Sequence, residues 1–424
     1  MINNLLKNNF HILICFLSIL SIYIGFFLDE NITIGPKLDW EHALAGSNEF
    51  QKNFKYTLLN YDKALADAGA GTRISPIYLI IIFILKKILI DVDLVRFFLM
   101  NIIILNQLFF YKSLRLVFKE NINKKYLLIL SCILYLSPSF RSNAVWPESA
   151  MLGLLFFLIS TYFFLKFKVY GKIKYSFLNI LFLAIASYIR PSFCLFGIFF
   201  YYEFLVYFFK NRNFLKNIFC ITLLNLFLAF PAYYYIFILD IFFIEAGGLS
   251  SNYFNKIPII TSIIIFHMLP ILIYKKFNLD LNFKYDLGLF LIIILSLTLI
   301  IENFNYNINF SGGGIILHAS NYLLGNNILL FICYPALMYF LIKISIFKSY
   351  NNLILILILL MMTPQYHIFH KYYDPLVIIL CFTVFNLEIK YDFFQKKRYL
   401  FILYSFYILY YFVHYINYLI ESNA

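Results

Sequence analysis

The sequence predicts an all-α fold, a polytopic bundle of transmembrane helices, from its composition and from the spacing of its apolar segments. Of the 424 residues, 62% are hydrophobic and 13% are charged, whereas an ordinary soluble domain has roughly 25% charged residues. Long apolar runs recur between residues 10 and 419, and a hydrocarbon core about 30 Å thick requires segments of about 20 apolar residues. Because the hydrophilic stretches between these runs are short, we expect residues 1–424 to form a single membrane domain.

The cysteines and the net charge argue against two other classes of protein. All six cysteines lie in or at the ends of apolar segments and no CxxC pair occurs, so neither a disulfide framework nor a zinc site is indicated. The net charge of +13 comes from Lys and Arg residues scattered in short clusters between apolar runs. This spacing is typical of positive-inside topology. Membrane lipids, and not nucleic acid, are therefore the expected surroundings.

The apolar runs predict about 13 spans with the N-terminus inside. The first run ends at Asp29 and Glu30 without a small-residue cleavage site, so it is expected to be a retained span and not a signal peptide. The predicted spans cover residues 10–28, 94–111, 126–139, 149–165, 177–189, 193–209, 218–239, 257–274, 285–301, 327–342, 352–369, 374–389 and 399–419.

The distribution of charge supports this orientation. The inner segments hold 22 of the 34 Lys and Arg residues, and the outer segments hold 13 of the 21 carboxylates, which is the bias of the positive-inside rule. Segment 76–90 contains Lys86 and Lys87 and is short for a span. Counting it as one would invert the charge pattern of everything after it, so we expect a re-entrant or surface-lying helix on the outer side.

The long first outer loop, residues 29–75, is the richest in polar residues. Apolar residues recur every three or four positions between Phe50 and Ala68, which predicts an amphipathic helix at the membrane interface. Before it stand Asp39, Glu41 and His42. Two carboxylates and an imidazole so close together are able to deprotonate an acceptor or to bind a divalent cation. Equally, Asp39 is suited to be the N-cap of the helix and Glu41 a first-turn charge; both interpretations stay open.

Two later outer turns contain further candidates. Pro147 is suited to begin a helix, which places Glu148 in the first turn, either as a functional carboxylate or as a charge that the helix dipole tolerates. Arg190 stands at the outer end of span 177–189. An arginine at that depth is costly unless paired, and phosphate is a natural partner; snorkelling to lipid headgroups is the alternative.

The last candidates lie in two late outer loops. His367, His370, Lys371 and Asp374 are close together in one of them, where contact with a phosphate or sugar, interfacial anchoring and a metal site are the alternatives, with the metal site least favoured. The glycines 312–314 in loop 302–326 predict a mobile lid. Neither GxxxxGK[ST] nor GxGxxG occurs in the chain, so no nucleotide is expected, and a divalent cation is the one cofactor left open.

Several of these motifs stand in an order that resembles the GT-C superfamily of polytopic glycosyltransferases, the protein mannosyltransferases and aminoarabinose transferases among them. The resemblance covers most of the chain in layout and is strongest over residues 1–209, which would form the core module, with 210–424 as variable C-terminal helices. The matching motifs are Arg73-Ile-Ser-Pro76-Ile-Tyr78, Leu136-Ser-Pro138, Trp146-Pro-Glu148, Ile189-Arg190-Pro191-Ser192 and Lys371-Tyr-Tyr-Asp-Pro375.

The resemblance implies inverting transfer of a sugar from a polyprenyl-phosphate donor to a glycan, lipid or protein acceptor at the outer face. Asp39 matches the catalytic carboxylate of the first outer loop, with Asp29 and Glu30 as rivals nearer the membrane. Glu148 matches the second-loop acid and Arg190 the basic residue that meets the lipid phosphate. The residues expected to complete the catalytic and substrate-binding set are Glu41, His42, Arg73, His370 and Lys371.

Two other functions compete with this interpretation. A transporter or flippase for lipid-linked sugars is expected to contain internal repeats and polar or broken helices at mid-membrane, and the sequence contains no convincing repeat. A polysaccharide polymerase would use the same donors, and product length would distinguish it. The many Asn, Ile, Lys, Phe and Tyr residues suggest an AT-rich genome and hence a multi-pass protein of a bacterial cytoplasmic membrane.

Overall fold

The computed structural model describes residues 2–70, 74–118, 122–210, 214–241, 250–274, 283–308, 312–344, 349–387 and 397–423. Throughout these ranges the regular structure is helical, so the predicted all-α class is confirmed. The helices group into two compact units, the first formed by Met1–Ala246 with Tyr407–Ala424 and the second by Gly247–Phe406.

Twelve helices precede residue 240 and belong to the first unit, together with short 3₁₀ turns at Cys132–Leu136 and Pro191–Leu195 and a π turn at Tyr234–Ile238. They are α1 (Ile2–Phe27), α2 (Gly35–Lys52), α3 (Phe54–Leu59), α4 (Tyr61–Asp67), α5 (Pro76–Leu89), α6 (Val92–Phe118), α7 (Lys124–Ser131), α8 (Pro138–Val145), α9 (Ser149–Tyr170), α10 (Ile173–Ile189), α11 (Phe196–Phe209) and α12 (Phe214–Tyr233). Helices α11 and α12, on either side of the expected module boundary at residue 209, both lie in this unit.

The remaining helices follow residue 250, with one 3₁₀ turn at His370–Tyr372. They are α13 (Tyr253–Tyr274), α14 (Phe283–Asn303), α15 (Gly314–Leu324), α16 (Ile328–Ile344), α17 (Tyr350–Met361), α18 (Leu376–Phe382) and α19 (Lys397–Asn423). The part of α19 from Tyr407 onward belongs to the first unit.

Eight helices in the described part of the chain are long and apolar enough to cross a membrane. Each overlaps a predicted span, and together they agree with an integral multi-pass membrane protein. They cover Asn9–Phe27, Val92–Phe118, Ser149–Tyr170, Pro191–Phe209, Phe214–Ile238, Tyr253–Ile273, Asp286–Asn303 and Arg398–Ile420. Three further predicted spans correspond to the shorter apolar helices Ile173–Ile189, Ile328–Lys343 and Tyr350–Met361.

The predicted span 126–139 is not one continuous helix. Helix α7 ends at Ser131, a 3₁₀ turn follows, and α8 starts again at Pro138. Proline has no N–H and disfavours helical backbone in the residue before it, and Ser137 accordingly is extended and accepts a hydrogen bond from Phe140 N at 3.0 Å. Almost every side chain from Leu130 to Leu155 is buried, so this broken segment lies inside the first unit.

The predicted spans 352–369 and 374–389 are also interrupted. Helix α17 ends at Met361, shortly before Pro364, and α18 begins only after Pro375 and has seven residues. Pro364 follows the end of α17 and Pro375 precedes the start of α18, and neither proline has the N–H that a continuous helix would need there. All residues of α18 are buried, so the apolar composition of this stretch reflects protein packing.

The first outer loop contains three helices where the sequence predicted one. Helix α2 begins at Gly35, well before the predicted start, and breaks occur at Asn53 and Asn60. The amide oxygen of Asn53 accepts a hydrogen bond from Tyr56 N at 3.0 Å and so caps α3, which is the usual competition of asparagine with helix continuation. Helix α5 is the segment that the charge pattern left outside the bundle. It packs closely on α2, as the short distance of 2.7 Å between a Cβ added to Gly46 and Leu79 shows.

Candidate functional site

Helix α2 determines which side chains of the first loop can act together. Its N-cap is Ile34 and Pro36 lies in its first turn, so the alternative in which Asp39 is an N-cap is wrong. Asp39 and His42 are three residues apart on one helical face and both are half-buried. Glu41 is exposed and two residues from Asp39, a spacing that points away from that face. The structure therefore joins Asp39 with His42 and separates Glu41 from them.

The start of α5 connects three distant parts of the first unit. The Ser75 hydroxyl donates a hydrogen bond to the carbonyl of Tyr188, near the end of α10. One turn later, the Tyr78 hydroxyl donates to the carbonyl of Pro147, just before α9. Tyr78 is only 1% exposed. Since these bonds span more than sixty residues of sequence, the turn at 146–148 and the turn at 188–190 are held against the same helix end.

Both outer carboxylates act on the buried hydroxyl of Tyr78. Burial raises the pKa of Tyr78 well above its usual value, and the charges of Glu148 and Asp39 raise it further. A carboxylate disfavours the phenolate only when it lies within electrostatic reach of the oxygen. Asp39 and Glu148, more than a hundred residues apart in sequence, thus both lie within electrostatic reach of Tyr78, which stays a neutral hydrogen-bond donor.

Glu148 is held at the N-terminal end of α9. It is the N-cap residue, 8% exposed, and its backbone N–H donates to the carbonyl of Asn143 at 3.3 Å. A carboxylate is stabilised there by the positive end of the helix dipole. The second-loop acid predicted from the sequence therefore lies in the interior of the first unit, at a helix end suited to an anion.

Arg190 lies beside the same helix. It is the C-cap residue of α10 and half-buried, and a Cβ on Gly153 would lie 2.9 Å from the Arg190 Cβ. Gly153 thus allows Arg190 to approach α9 about one turn beyond Glu148. We call Asp39, Tyr78, Glu148 and Arg190 the outer carboxylate site.

The rival acids Asp29 and Glu30 are engaged elsewhere. Glu30 receives two bonds from the Arg141 guanidinium, Nε to Oε1 at 2.7 Å and Nη2 to Oε2 at 2.6 Å, and the Glu30 side chain is 10% exposed. Arg141 Nη1 also donates to the Ser21 hydroxyl at 2.8 Å. Asp29 Oδ1 lies 2.6 Å from Arg96 Nη2. Such bidentate, charge-assisted contacts fix geometry, so Glu30 anchors the first loop to α8.

The late candidates belong to the second unit. His370 Nε2 lies 2.8 Å from Nε2 of His267 on α13, a fully buried residue that the sequence analysis did not single out. The Lys371 ammonium lies 5.5 Å from the Phe369 ring centroid and 5.9 Å from that of Tyr372, within cation–π range. The structure therefore pairs His370 with the imidazole of His267 and places the Lys371 ammonium near two aromatic rings.

The predicted glycine lid is not borne out for Gly312–Gly314. Gly313 N donates to Ile368 O at 2.9 Å, and a Cβ on Gly312 would lie 2.7 Å from the same oxygen. Positive φ at all three glycines shapes this close approach. The segment is packed against residues 366–368 through Tyr306, whose hydroxyl accepts from Ile368 N at 3.2 Å.

Two of the predicted features concern ligands, namely the substrate contact of Arg73 and a divalent cation. Arg73 lies outside the described residues. In the part of the chain that the structure describes, no group of three or more His, Cys, Asp or Glu side chains could hold a metal ion. Asp39 and Glu148, with their neutral partner Tyr78, would leave most of the ligands of a divalent cation to water and substrate.

No protein-family model, curated protein or solved structure matches the chain. The residues that the sequence analysis did not select, Tyr78, Arg96, Arg141 and His267, contact partners between 67 and 111 residues away. Tyr78 appeared only as the last letter of a motif, and no local pattern marks such long-range contacts.

Proposed function

We propose that the protein is a glycosyltransferase that moves a sugar from a polyprenyl-phosphate lipid to an acceptor at the outer face of the membrane. The observation that supports this most is that Asp39 and Glu148 both lie within electrostatic reach of the buried Tyr78 hydroxyl, while Arg190 lies beside the helix that Glu148 caps. A carboxylate base and an arginine are the groups that transfer from a sugar phosphate uses. The motif order of the GT-C superfamily points to the same chemistry.

The proposed reaction is a single displacement. The Asp39 carboxylate accepts the proton of an acceptor hydroxyl or amine, and the freed lone pair attacks the anomeric carbon. The bond from that carbon to the phosphate oxygen breaks, and the lipid phosphate departs with its electron pair. Attack opposite to the leaving group inverts the configuration. The Arg190 guanidinium, which is half-buried, offsets the charge of the departing phosphate.

Glu148 and Tyr78 would position the acceptor. Glu148 is buried at the N-terminal end of α9, and a carboxylate there is able to accept a hydrogen bond from an acceptor hydroxyl. Tyr78 fixes the turn before Glu148 through the carbonyl of Pro147. His42 shares the half-buried face of Asp39 and would contact the same substrate.

Asp39 is favoured over Glu30 as the base because of access. Both oxygens of Glu30 receive hydrogen bonds from Arg141, and its side chain is 10% exposed. Asp39 is half-buried on a helix of the first outer loop. A general base must come within hydrogen-bond distance of the proton that it removes, and the bidentate contact of Glu30 with Arg141 would have to open before Glu30 could do so.

Transfer of labelled sugar from a panel of polyprenyl-phosphate sugars by the purified full chain tests the proposal. Asp39→Asn should lower turnover about 10²- to 10⁴-fold, the usual contribution of general-base catalysis, and Arg190→Ala should lower it as well. Glu49→Gln is the matched control, since Glu49 is a carboxylate of the same helix that pairs with Lys52 at 2.7 Å. Its turnover should equal that of the native chain.

Equal losses in Asp39→Asn and Glu49→Gln would mean that any charge change on α2 disturbs the protein, and would contradict the assigned base. Absence of turnover on every donor, together with movement of the lipid-linked sugar between leaflets of liposomes, would contradict the transferase function and identify a transporter.

One observation favours that transporter or flippase. The buried segment from α7 to α8 is a discontinuous helix with a break at Cys132–Ser137, and transporters often build their substrate sites from broken helices. A polymerase of lipid-linked sugars would use the outer carboxylate site in the same way as a transferase, and chain length of the product would identify it.

The proposed setting is a bacterial cytoplasmic membrane. The frequent Asn, Ile, Lys, Phe and Tyr residues, which suggest an AT-rich genome, and the positive-inside charge bias support it. The donor would reach the site from the outer leaflet, and the acceptor would be a glycan, a lipid or a protein. His370 and Lys371 stay predictions as substrate contacts of the second unit.

A further inference from the structure

Arg96, near the start of α6, has an unusual environment that the proposed transfer reaction does not use. Its guanidinium carbon lies 4.1 Å from the Trp146 ring centroid and 4.3 Å from that of Phe26. Nη2 donates to Asp29 Oδ1 at 2.6 Å and to Phe26 O at 3.2 Å, and Nη1 lies 3.7 Å from Asp93 Oδ1. Arg96 is 6% exposed, and its charge therefore lies away from solvent, between two aromatic rings.

Two N–H donors of this stack lack an acceptor. Arg96 Nε and Trp146 Nε1 are both buried and have no hydrogen-bond partner among the described residues, and each residue is only 6% exposed. Buried N–H groups in proteins are nearly always bonded, because an unmade bond leaves the desolvation penalty uncompensated. The pair therefore calls for an acceptor that the described residues do not supply.

The surrounding charge indicates what that acceptor is. Lys37 Nζ lies 5.2 Å from the Trp146 ring centroid and the Lys37 side chain is exposed. The carboxylates of Asp29 and Asp93 have side chains 61% and 78% exposed, whereas that of Arg96 is 7% exposed. The Arg96 guanidinium and the Lys37 ammonium balance these two carboxylates, and a phosphate offers oxygens to both cations as well as to the two buried N–H groups.

We propose that Arg96, Trp146 and Lys37 bind a phosphate group, either on the headgroup of an anionic phospholipid or as free phosphate. Arginine and indole N–H groups donate to the phosphate oxygens, and the Lys37 ammonium covers the site from solvent. Asp29, which now shares Nη2, lies at the exposed edge of the site. This phosphate contact uses a different arginine from the contact assigned to Arg190, and it does not depend on sugar transfer.

Tryptophan fluorescence provides a reporter inside the site. The chain has two tryptophans, Trp40 and Trp146. In a Trp40→Phe variant, Trp146 is therefore the single source of tryptophan fluorescence. The full chain with this change is placed in nanodiscs of phosphatidylcholine. One series raises the fraction of phosphatidylglycerol, and a second adds inorganic phosphate to discs of phosphatidylcholine alone.

We expect a saturable change of Trp146 emission. Arg96→Gln should weaken the apparent affinity about tenfold or more, as loss of a charge-assisted contact does. Lys37→Ala, at an exposed position, should weaken it about three- to fivefold. Lys63→Ala is the matched control, because Lys63 is an exposed basic residue of α4 away from these contacts.

The two titrations distinguish a lipid headgroup from free phosphate as the bound group, and they can also contradict the proposed site. A response to phosphatidylglycerol but not to inorganic phosphate identifies a lipid headgroup site, and the reverse identifies a free phosphate site. Absence of a saturable response in both series overturns the proposal. An equal loss of affinity in Lys37→Ala and Lys63→Ala overturns it too, because the response would then report overall surface charge.

Discussion

The loop regions of the two units use different polar chemistry. In the first unit, buried guanidinium groups bond carboxylates, as in Arg141 with Glu30 at 2.6 Å and Arg96 with Asp29 at 2.6 Å. In the second unit, amides and phenols bond one another, and Asn255 Nδ2 donates to Asn305 Oδ1 at 2.7 Å. There the Lys256 ammonium donates to the carbonyl oxygens of Ser250 and Pro364, at 2.6 and 3.2 Å.

This difference teaches where charge-dependent chemistry can occur. A buried ion pair costs desolvation and is strongly destabilising when one partner is lost, while neutral hydrogen bonds contribute about 1 kcal/mol each. The first unit therefore holds its loop carboxylates in defined positions at an energetic risk, whereas in the second unit the largely buried pair of Lys343 with Asp286 lies apart from the network of neutral hydrogen bonds. Proposals of catalysis and of anion binding both fall in the first unit for this reason.

Loss of Arg141 should have the largest effect on stability. Arg141→Met leaves Glu30 unpaired with 10% of its side chain exposed, and we expect a loss of about 3–5 kcal/mol in the free energy of unfolding, the usual consequence of breaking a buried pair. Lys52→Met is the control, because its pair with Glu49 has a lysine 71% exposed and should cost under about 1 kcal/mol. Denaturant unfolding in neutral detergent measures both, and equal costs would contradict the comparison.

Much of the fold could be predicted from apolar periodicity, and the exceptions have one cause. Eight long helices match predicted spans, because length and hydropathy are local properties. The prediction of continuous spans failed where an apolar stretch is buried against protein and not lipid, as in α18. Composition does not distinguish these two apolar surroundings, and only Pro138, Pro364 and Pro375 hinted at breaks.

The site could be predicted in part. Glu148 and Arg190 stand at helix ends, where Pro147 and Pro191 mark the turn, so local signals found them. Asp39 was found through its acidic neighbours, but the helix start at Gly35 was missed because Ile34 is not a capping residue. Tyr78, Arg96 and Arg141 depend on contacts between distant segments, which no single sequence encodes in a readable pattern.

The next largest effect is expected in the second unit at Gly312. Gly312→Ala places a Cβ 2.7 Å from Ile368 O at a residue with φ of 86°, and left-handed strain together with the clash should cost about 2–4 kcal/mol. Gly325→Ala is the matched control, since Gly325 has φ of 65° and no atom within 4 Å of the added Cβ. It should lose about 1 kcal/mol, from backbone strain alone.

Thermal unfolding of both glycine variants in the same detergent makes the measurement. A Gly312→Ala midpoint no lower than that of Gly325→Ala would mean that Ile368 moves away freely. The segment would then be a mobile lid after all.

The smallest effect is expected for the neutral network of the second unit. Asn255 is 2% exposed, donates to Asn305 Oδ1 at 2.7 Å and accepts from Asn305 N at 2.9 Å. Asn255→Ala should cost about 1 kcal/mol, because Asn305 is exposed and water replaces the lost partner. Denaturant unfolding beside Arg141→Met ranks the two losses. If Asn255→Ala cost as much as Arg141→Met, the amide network would be as exacting as the ion pairs, and the second unit would become an equal candidate for a preorganised binding site.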